Sequence, residues 1–187
     1  MDLTHTGTVV IETERLILRK FKEDDAPSMY KNWASDSKVT RFLSWKPHEN
    51  IAVTKEKIAE WIKGYENDST YNWLIELKEL GEPIGAIAAV KLNEKINSCE
   101  IGYCIGSRFW NKDIATEALK AVINYMINKV GVNRVEALHD TNNTASGKVM
   151  QKAGMKFEGI LREAGIRNGE YYSLAIYSFL KSDLPKI

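Results

Sequence analysis

The stretch Glu100-Ile101-Gly102-Tyr103-Cys104-Ile105-Gly106-Ser107-Arg108-Phe109-Trp110-Asn111-Lys112-Asp113-Ile114-Ala115-Thr116-Glu117 constrains this chain more than any other. β-rich residues run through a tight turn into the opening of a helix. A helix start carries backbone N–H groups without intrahelical partners, at the positive end of the macrodipole. A strand that feeds one through a turn therefore builds a seat for an anion such as a diphosphate. Arg108 and Lys112 add positive charge beside it.

Elements on either side follow the same periodicity argument. Arg15 to Phe21 alternates as a strand, and Glu23-Asp24-Asp25-Ala26-Pro27 supplies acidic caps and a first-turn proline for a helix to about Ser35. Ile51, Ile58, Trp61, Ile62 and Tyr65 recur at helical spacing across Glu49 to Tyr65. Tyr71–Lys78 and Ile84–Leu92 are strands joined by a Gly-Glu-Pro loop, and Ser98–Ile105 is a third, so an antiparallel meander is expected. After the turn, Ile114, Ala115, Ala118, Leu119, Val122, Met126 and Ile127 mark one face of a long helix closed by Lys129 and Gly131, which should pack on the sheet. Arg134–Leu138 is a strand, Asn143–Ala153 a short helix ended by Gly154, and two last strands, Met155–Ile166 and Tyr171–Leu180, flank Asn168-Gly169. The order is βααβββαβαββ.

Composition bounds the partners. Lysine and arginine (26) nearly balance aspartate and glutamate (25), so no global field favours nucleic acid or an anionic membrane. The start, Met1 to Gly7, lacks a basic region followed by an apolar one, and no run of about 18 apolar residues occurs, so a cytoplasmic protein is expected. Cys99 and Cys104 lie on one strand at a spacing that sends them to opposite faces, as free thiols. No His/Cys/Asp cluster has metal spacing, and no GxSxG or Cys-His arrangement suggests hydrolysis. With no repeat or linker, one domain spanning 1–187 is expected, its core about 12–182.

The element order resembles the GNAT superfamily of acyl-CoA-dependent N-acetyltransferases. The likeness is closest to its ribosomal-protein N-terminal acetyltransferase type. It is carried by Glu12-Thr13-Glu14-Arg15-Leu16-Ile17-Leu18-Arg19, Ile101-Gly102-Tyr103, Trp110-Asn111-Lys112 with Ala115-Thr116-Glu117, Asn143-Thr144-Ala145-Ser146, and Lys152-Ala153-Gly154-Met155 with Glu158-Gly159. This implies an α/β (α+β) GNAT fold: a mixed, mostly antiparallel sheet of about seven strands, four flanking helices and a splayed strand at the CoA site. Acetyl-CoA is the implied cosubstrate, with no metal.

The family's phosphate signature falls on Arg108, Asn111 and Asp113, where the last two replace glycines. Asn and Asp tolerate positive φ best among non-glycine residues, so the turn can form. An Asp113 carboxylate facing a diphosphate would be repelled unless it points outward or caps the helix. The resemblance places CoA against Tyr103, Cys104, Ile105, Arg108, Asn111, Lys112, Asp113, Ile114, Ala115, Thr116, Asn143, Ser146 and Lys152. Backbone N–H groups near Tyr103 to Ile105 would line the pantetheine and the oxyanion. Asn143 is also a good N-cap, and Lys152 also an ordinary helix lysine.

Acetyl transfer needs a neutral amine, a polarised carbonyl and a proton for the departing thiolate. The tyrosine that many superfamily members use for the last task is replaced here by Met150. The ribosomal-protein type implies Ser146 instead, in a helix's first turn where the dipole favours negative charge; serine is also common there as a cap. Glu100, Glu136 and Glu163 are candidate bases, with Glu100 best placed beside the acetyl site. The catalytic glutamate of the alanine-acetylating enzymes corresponds to Gly165. His139 at a strand end is a further proton relay candidate. A base is dispensable for an α-amine, whose reference pKa lies near 8. Trp33, Phe42, Trp45, Trp61 and Tyr65 fall where the family builds its acceptor wall, although core packing accounts for such aromatics too. Direct transfer from acetyl-CoA to a primary amine is expected, without an acyl-enzyme. The acceptor is a protein N-terminus or a small amine such as a polyamine, amino sugar or amino-acid derivative. A catalytically weak CoA-binding or sensing protein is the rival reading, and the chain is expected to be a monomer or homodimer.

Overall fold

In a computed structural model, residues 3–185 are described; Met1 and Asp2 of the stretch examined for a leader, and Lys186 and Ile187, lie outside them. Strands β1 (Ile11–Glu12), β2 (Leu16–Arg19), β3 (Asn72–Leu77), β4 (Glu82–Asn93), β5 (Ser98–Ile105), β6 (Arg134–Asp140), β7 (Lys156–Arg167) and β8 (Glu170–Leu180) form one sheet. Its order is β1-β2-β3-β4-β5-β6-β8-β7. Every neighbouring pair is antiparallel except β5 with β6. Helices are α1 (Ala26–Met29), α2 (Ser37–Thr40), α3 (Ile51–Gly64), α4 (Ile114–Tyr125) and α5 (Thr144–Lys152).

Among the described residues the sheet has eight strands, in line with the expected seven or so, and there are five helices where four were expected. The additions are β1, too short to show alternation, and the single-turn helix α2. The first helix is also not continuous. A single 3-10 turn, α1 and a widened π segment at Tyr30–Ala34 follow one another, because the Ser35 N–H and Oγ both donate to the Tyr30 carbonyl five residues back.

Each sheet face is covered by helices that present apolar stripes. On one face, Ile114, Ala118, Leu119, Val122 and Ile123 of α4 pack on Leu16, Leu18, Trp73, Ile75, Ile101 and Val135, joined by Met150 of α5. On the other, Met29, Trp33 and Ile58 enclose Phe21 and Leu74. Cys99 belongs to the first cluster and Cys104 packs against the second, so alternation along β5 separates the two free thiols as expected. No helix among the described residues is long and apolar enough to cross a membrane.

Candidate active site

β5 and β6 pair only at Ser98–Arg134, Cys99–Val135 and Glu100–Glu136, where their ladder stops. Beyond that point β5 stays on β4 as far as Gly85–Ile105, and β6 stays on β8 as far as Asp140–Leu174. Each strand follows its own partner, so a split opens in the sheet from Ile101 and Ala137 onwards. The β5 edge facing it has no strand ladder.

At the end of β5 the chain turns into α4. Asn111 and Asp113 both adopt left-handed backbone, with φ of 60° and 56°, so asparagine and aspartate support the conformation for which the family uses glycine. The first internal bond of α4 is Glu117 N–H to the Asp113 carbonyl. The amides of Asn111, Lys112, Asp113, Ile114, Ala115 and Thr116 have no backbone partner among the described residues, leaving a run of donors at the helix's positive end. Arg15 braces this turn: its Nε pairs with Glu117 at 2.6 Å and its Nη1 donates to the Lys112 carbonyl at 2.9 Å.

The positive charge expected from Arg108 and Lys112 beside the turn is partly taken up within the chain. Arg108 forms an ion pair with Glu82 and lies over the Phe109 ring, so much of its charge is compensated. Asp113 is the N-cap residue of α4, but its carboxylate makes no cap bond; it pairs with Lys152 Nζ at 2.5 Å, and that bond holds its pKa below the usual range. The same pair occupies Lys152. The Asp113 charge is thus compensated by Lys152 beside the start of α4.

The opposite wall of the split is α5. Asn143 is its N-cap, accepting from the Ser146 N–H through both its carbonyl (3.1 Å) and its side chain (3.4 Å). Ser146 is half-buried in the first turn, and its hydroxyl lies 2.9 Å from the Tyr103 hydroxyl, which also donates to the Ser146 carbonyl at 3.1 Å. Tyr103, expected to contribute only its backbone, thus spans the split with its side chain. Burial pushes its phenol pKa far above the ordinary value. Met150 is buried in the core, and a thioether cannot donate a proton.

Two of the three candidate bases are ion-paired. Glu100 and Glu136 pair in register at the apex of the split, and each is ion-paired: Lys91 lies 2.7 Å from Glu100, and Arg134, which also pairs with Glu158, lies 2.5 Å from Glu136. Glu163 is exposed in a bulge of β7 with φ of 51°, away from the closed part of the sheet. A glutamate at position 165 requires the Tyr172 ring to move, because a Cβ on Gly165 would lie 2.3 Å from its Cζ. That ring carries the Arg167 guanidinium at 4.2 Å, which in turn pairs with buried Asp140 at 2.7 Å and reaches the Phe42 carbonyl. This clamp between the β7–β8 hairpin and the segment after α2 joins residues too distant in sequence for periodicity to connect.

His139 is a packing residue in this arrangement. Its Nδ1 donates to the Asp140 carbonyl at 2.7 Å, and its Nε2 is buried against Gly147 of α5. Of the expected acceptor wall, Trp33 is wholly buried and Trp61 packs on Phe21, so both serve the core. Burial pushes both cysteine thiols up to about 12, so neither is a thiolate nucleophile at neutral pH. No group of three or more metal-ligating side chains occurs among the described residues.

A family model described as an acetyltransferase (GNAT) domain matches residues 15–156. The chain belongs to the GNAT acetyltransferase family. It is therefore an acyltransferase that uses acetyl-CoA, and its sheet split and α4 turn are this family's fold in this sequence. It is 32% identical over 172 residues to the uncharacterized N-acetyltransferase YoaA of Bacillus subtilis, covering 92% of this chain and 97% of that protein. The structure of a GNAT-family acetyltransferase from Bacillus anthracis superposes with a TM-score of 0.82 at 25% identity, covering 93% and 99% of the two chains. Over a shorter segment, 75 residues covering 40% of this chain and 39% of the relative, it is 29% identical to the ribosomal protein uS5-alanine N-acetyltransferase of Escherichia coli.

Proposed function

We propose that this N-acetyltransferase transfers the acetyl group directly to an α-amine, with a peptide N-terminus as the acceptor. The observation that carries the reading is the state of the three candidate bases: Glu100 and Glu136 are ion-paired, and Glu163 is exposed in a bulge. An acceptor that arrives neutral on its own suits such a site. At pH 7.4 an α-amine with a pKa near 8 is about 20% neutral, whereas a lysine-like amine near 10.4 is about 0.1% neutral. The similarity to an enzyme named for acetylating an alanine of uS5 supports the same class.

In this mechanism the free amides of residues 111–116 hold the CoA diphosphate, aided by Lys112, while Asp113 stays turned toward Lys152. Backbone of Tyr103, Cys104 and Ile105 on the unladdered β5 edge, together with Asn143, aligns the pantetheine in the split. The amine nitrogen attacks the thioester carbonyl carbon, and the C–S bond breaks as the amide forms. Ser146 donates a hydrogen bond to the thiolate, assisted by the α5 dipole. The nitrogen loses its proton to solvent and the sulfur gains one, which balances the reaction. With both cysteines protonated, no acyl-enzyme is needed.

The test is thiol release from acetyl-CoA over a panel of free-N-terminus peptides, Nα-capped lysine peptides, polyamines and amino sugars, between pH 7 and 10. The expected outcome is a preference of at least 100-fold for α-amines at pH 7.4, with rates levelling near pH 8. A polyamine or lysine side chain preferred at neutral pH overturns the reading.

A further inference from the structure

Ser146 alone is a modest partner for a departing thiolate, because a lone hydroxyl is free to rotate and to spend its proton elsewhere. In this chain it is not alone. The Tyr103 hydroxyl sits 2.9 Å from Ser146 Oγ, reaching it from the opposite wall of the split. Tyr103 has one proton for two acceptors, Ser146 Oγ and the Ser146 carbonyl, so the pair has two arrangements. When Tyr103 donates to the carbonyl, Ser146 can give its proton to the phenol oxygen. When Tyr103 donates to Oγ, the Ser146 proton is released toward the split. Only the second arrangement offers sulfur a donor.

We propose that Tyr103 is a positioning residue for thiolate departure, donating to Ser146 Oγ so that the Ser146 proton is aimed at the sulfur. The inference rests on the role given to Ser146 above. It supplies from β5 a hydroxyl that replaces the one Met150 cannot provide from α5. A bond into Ser146 Oγ also strengthens the bond Ser146 makes, since linked hydrogen bonds polarise one another. Burial and Ser146 are the influences on this phenol, and burial keeps it protonated through the working pH range. No proton leaves Tyr103 in the step; it supports a charge that forms one bond away.

Tyr103→Phe keeps the ring and removes the hydroxyl. Its kcat should fall about tenfold with KM for acetyl-CoA within twofold, and Ser146→Ala should fall at least as far. The double variant should be no worse than Ser146→Ala, because Tyr103 acts through Ser146. Both defects should shrink with the selenoester analogue of acetyl-CoA, whose leaving group is a weaker base. Site-specific 3,5-difluorotyrosine at position 103 acidifies the phenol without altering packing, and should make kcat fall at high pH where the wild-type rate stays level. An unchanged kcat in Tyr103→Phe, additive losses, or a raised KM at constant kcat overturns the inference. If Ser146→Ala leaves kcat unchanged, the role of Ser146 fails. The α-amine preference is read from the acceptor panel and stands or falls separately.

Discussion

Gly147→Ala tests whether the position of α5 sets catalysis. A Cβ at residue 147 would lie 2.7 Å from His139 Nε2 and 3.2 Å from Cε1, closer than carbon and nitrogen pack. His139 cannot swing aside freely, because its Nδ1 is bonded to the Asp140 carbonyl and its ring stands 5.7 Å from that of Tyr177. The helix must therefore lift by roughly 0.7 Å to reach an ordinary contact near 3.4 Å, the shift being simply the difference between those separations. Overpacking of this kind costs about 1–3 kcal/mol, against which alanine recovers about 1 kcal/mol of helix propensity. The net loss of about 0–2 kcal/mol corresponds to a Tm drop of at most about 8 °C in a chain of this size. Activity should suffer more than stability. Lifting α5 displaces Ser146 and Asn143 together, and misplacements near 1 Å cost up to about 100-fold. The expected result is kcat reduced at least about tenfold, with a Tm change of a few degrees by calorimetry. Removing the obstructing ring in the Gly147→Ala/His139→Ala double variant should restore part of kcat. A Gly147→Ala enzyme with wild-type kcat, or a double variant no better than the single one, refutes the reasoning.

Three further outcomes follow from charges around the site. Asp113→Asn keeps a residue tolerant of positive φ while freeing Lys152, so calorimetric titration should show CoA binding several-fold tighter; weaker binding would mean that the Asp113–Lys152 pair itself builds the seat. Arg167→Met strands the buried Asp140 carboxylate and should lower Tm by at least about 4 °C, with Asp140→Asn recovering much of the loss; independent, additive shifts would show that the two residues are not coupled. Glu158 is held down to about 2 by Arg134 and Ser178, so its folded pKa lies below its unfolded value. The stability it contributes is present above about pH 4.5 and lost as pH falls toward 2. The Tm gap between wild type and Glu158→Gln should thus be constant above pH 5 and close below pH 4.5; a gap that persists at pH 2 contradicts the assignment.

Much of this architecture could be read from the sequence because it is encoded locally. β5 falls at Ser98–Ile105 as alternation predicts, and α4 starts at Ile114 where the apolar stripe begins. Asn111 and Asp113 adopt the left-handed backbone expected of the two residues best able to replace glycine there. What local pattern could not reveal was which side chains meet across the split. Alternation puts Tyr103 on the same face as Ile101 and Ile105, but nothing in that spacing says that its hydroxyl meets the first turn of a helix beginning at Thr144. The three glutamates illustrate the same limit. The placement of Glu100 beside the acetyl site was legible, but the partners Lys91 and Arg134 and the exposed bulge around Glu163 are products of register, which single-strand periodicity leaves open. The Tyr172 ring over Gly165 goes further, because it fills the space that a carboxylate side chain at 165 would need. A glutamate restored at 165 should therefore displace the Tyr172 ring from under Arg167 unless Tyr172 is reduced in size at the same time. Gly165→Glu/Tyr172→Ala is the variant that would show whether this site gains from a carboxylate: a rise in lysine-peptide acetylation at pH 7 would mean that the α-amine preference reflects the absent base.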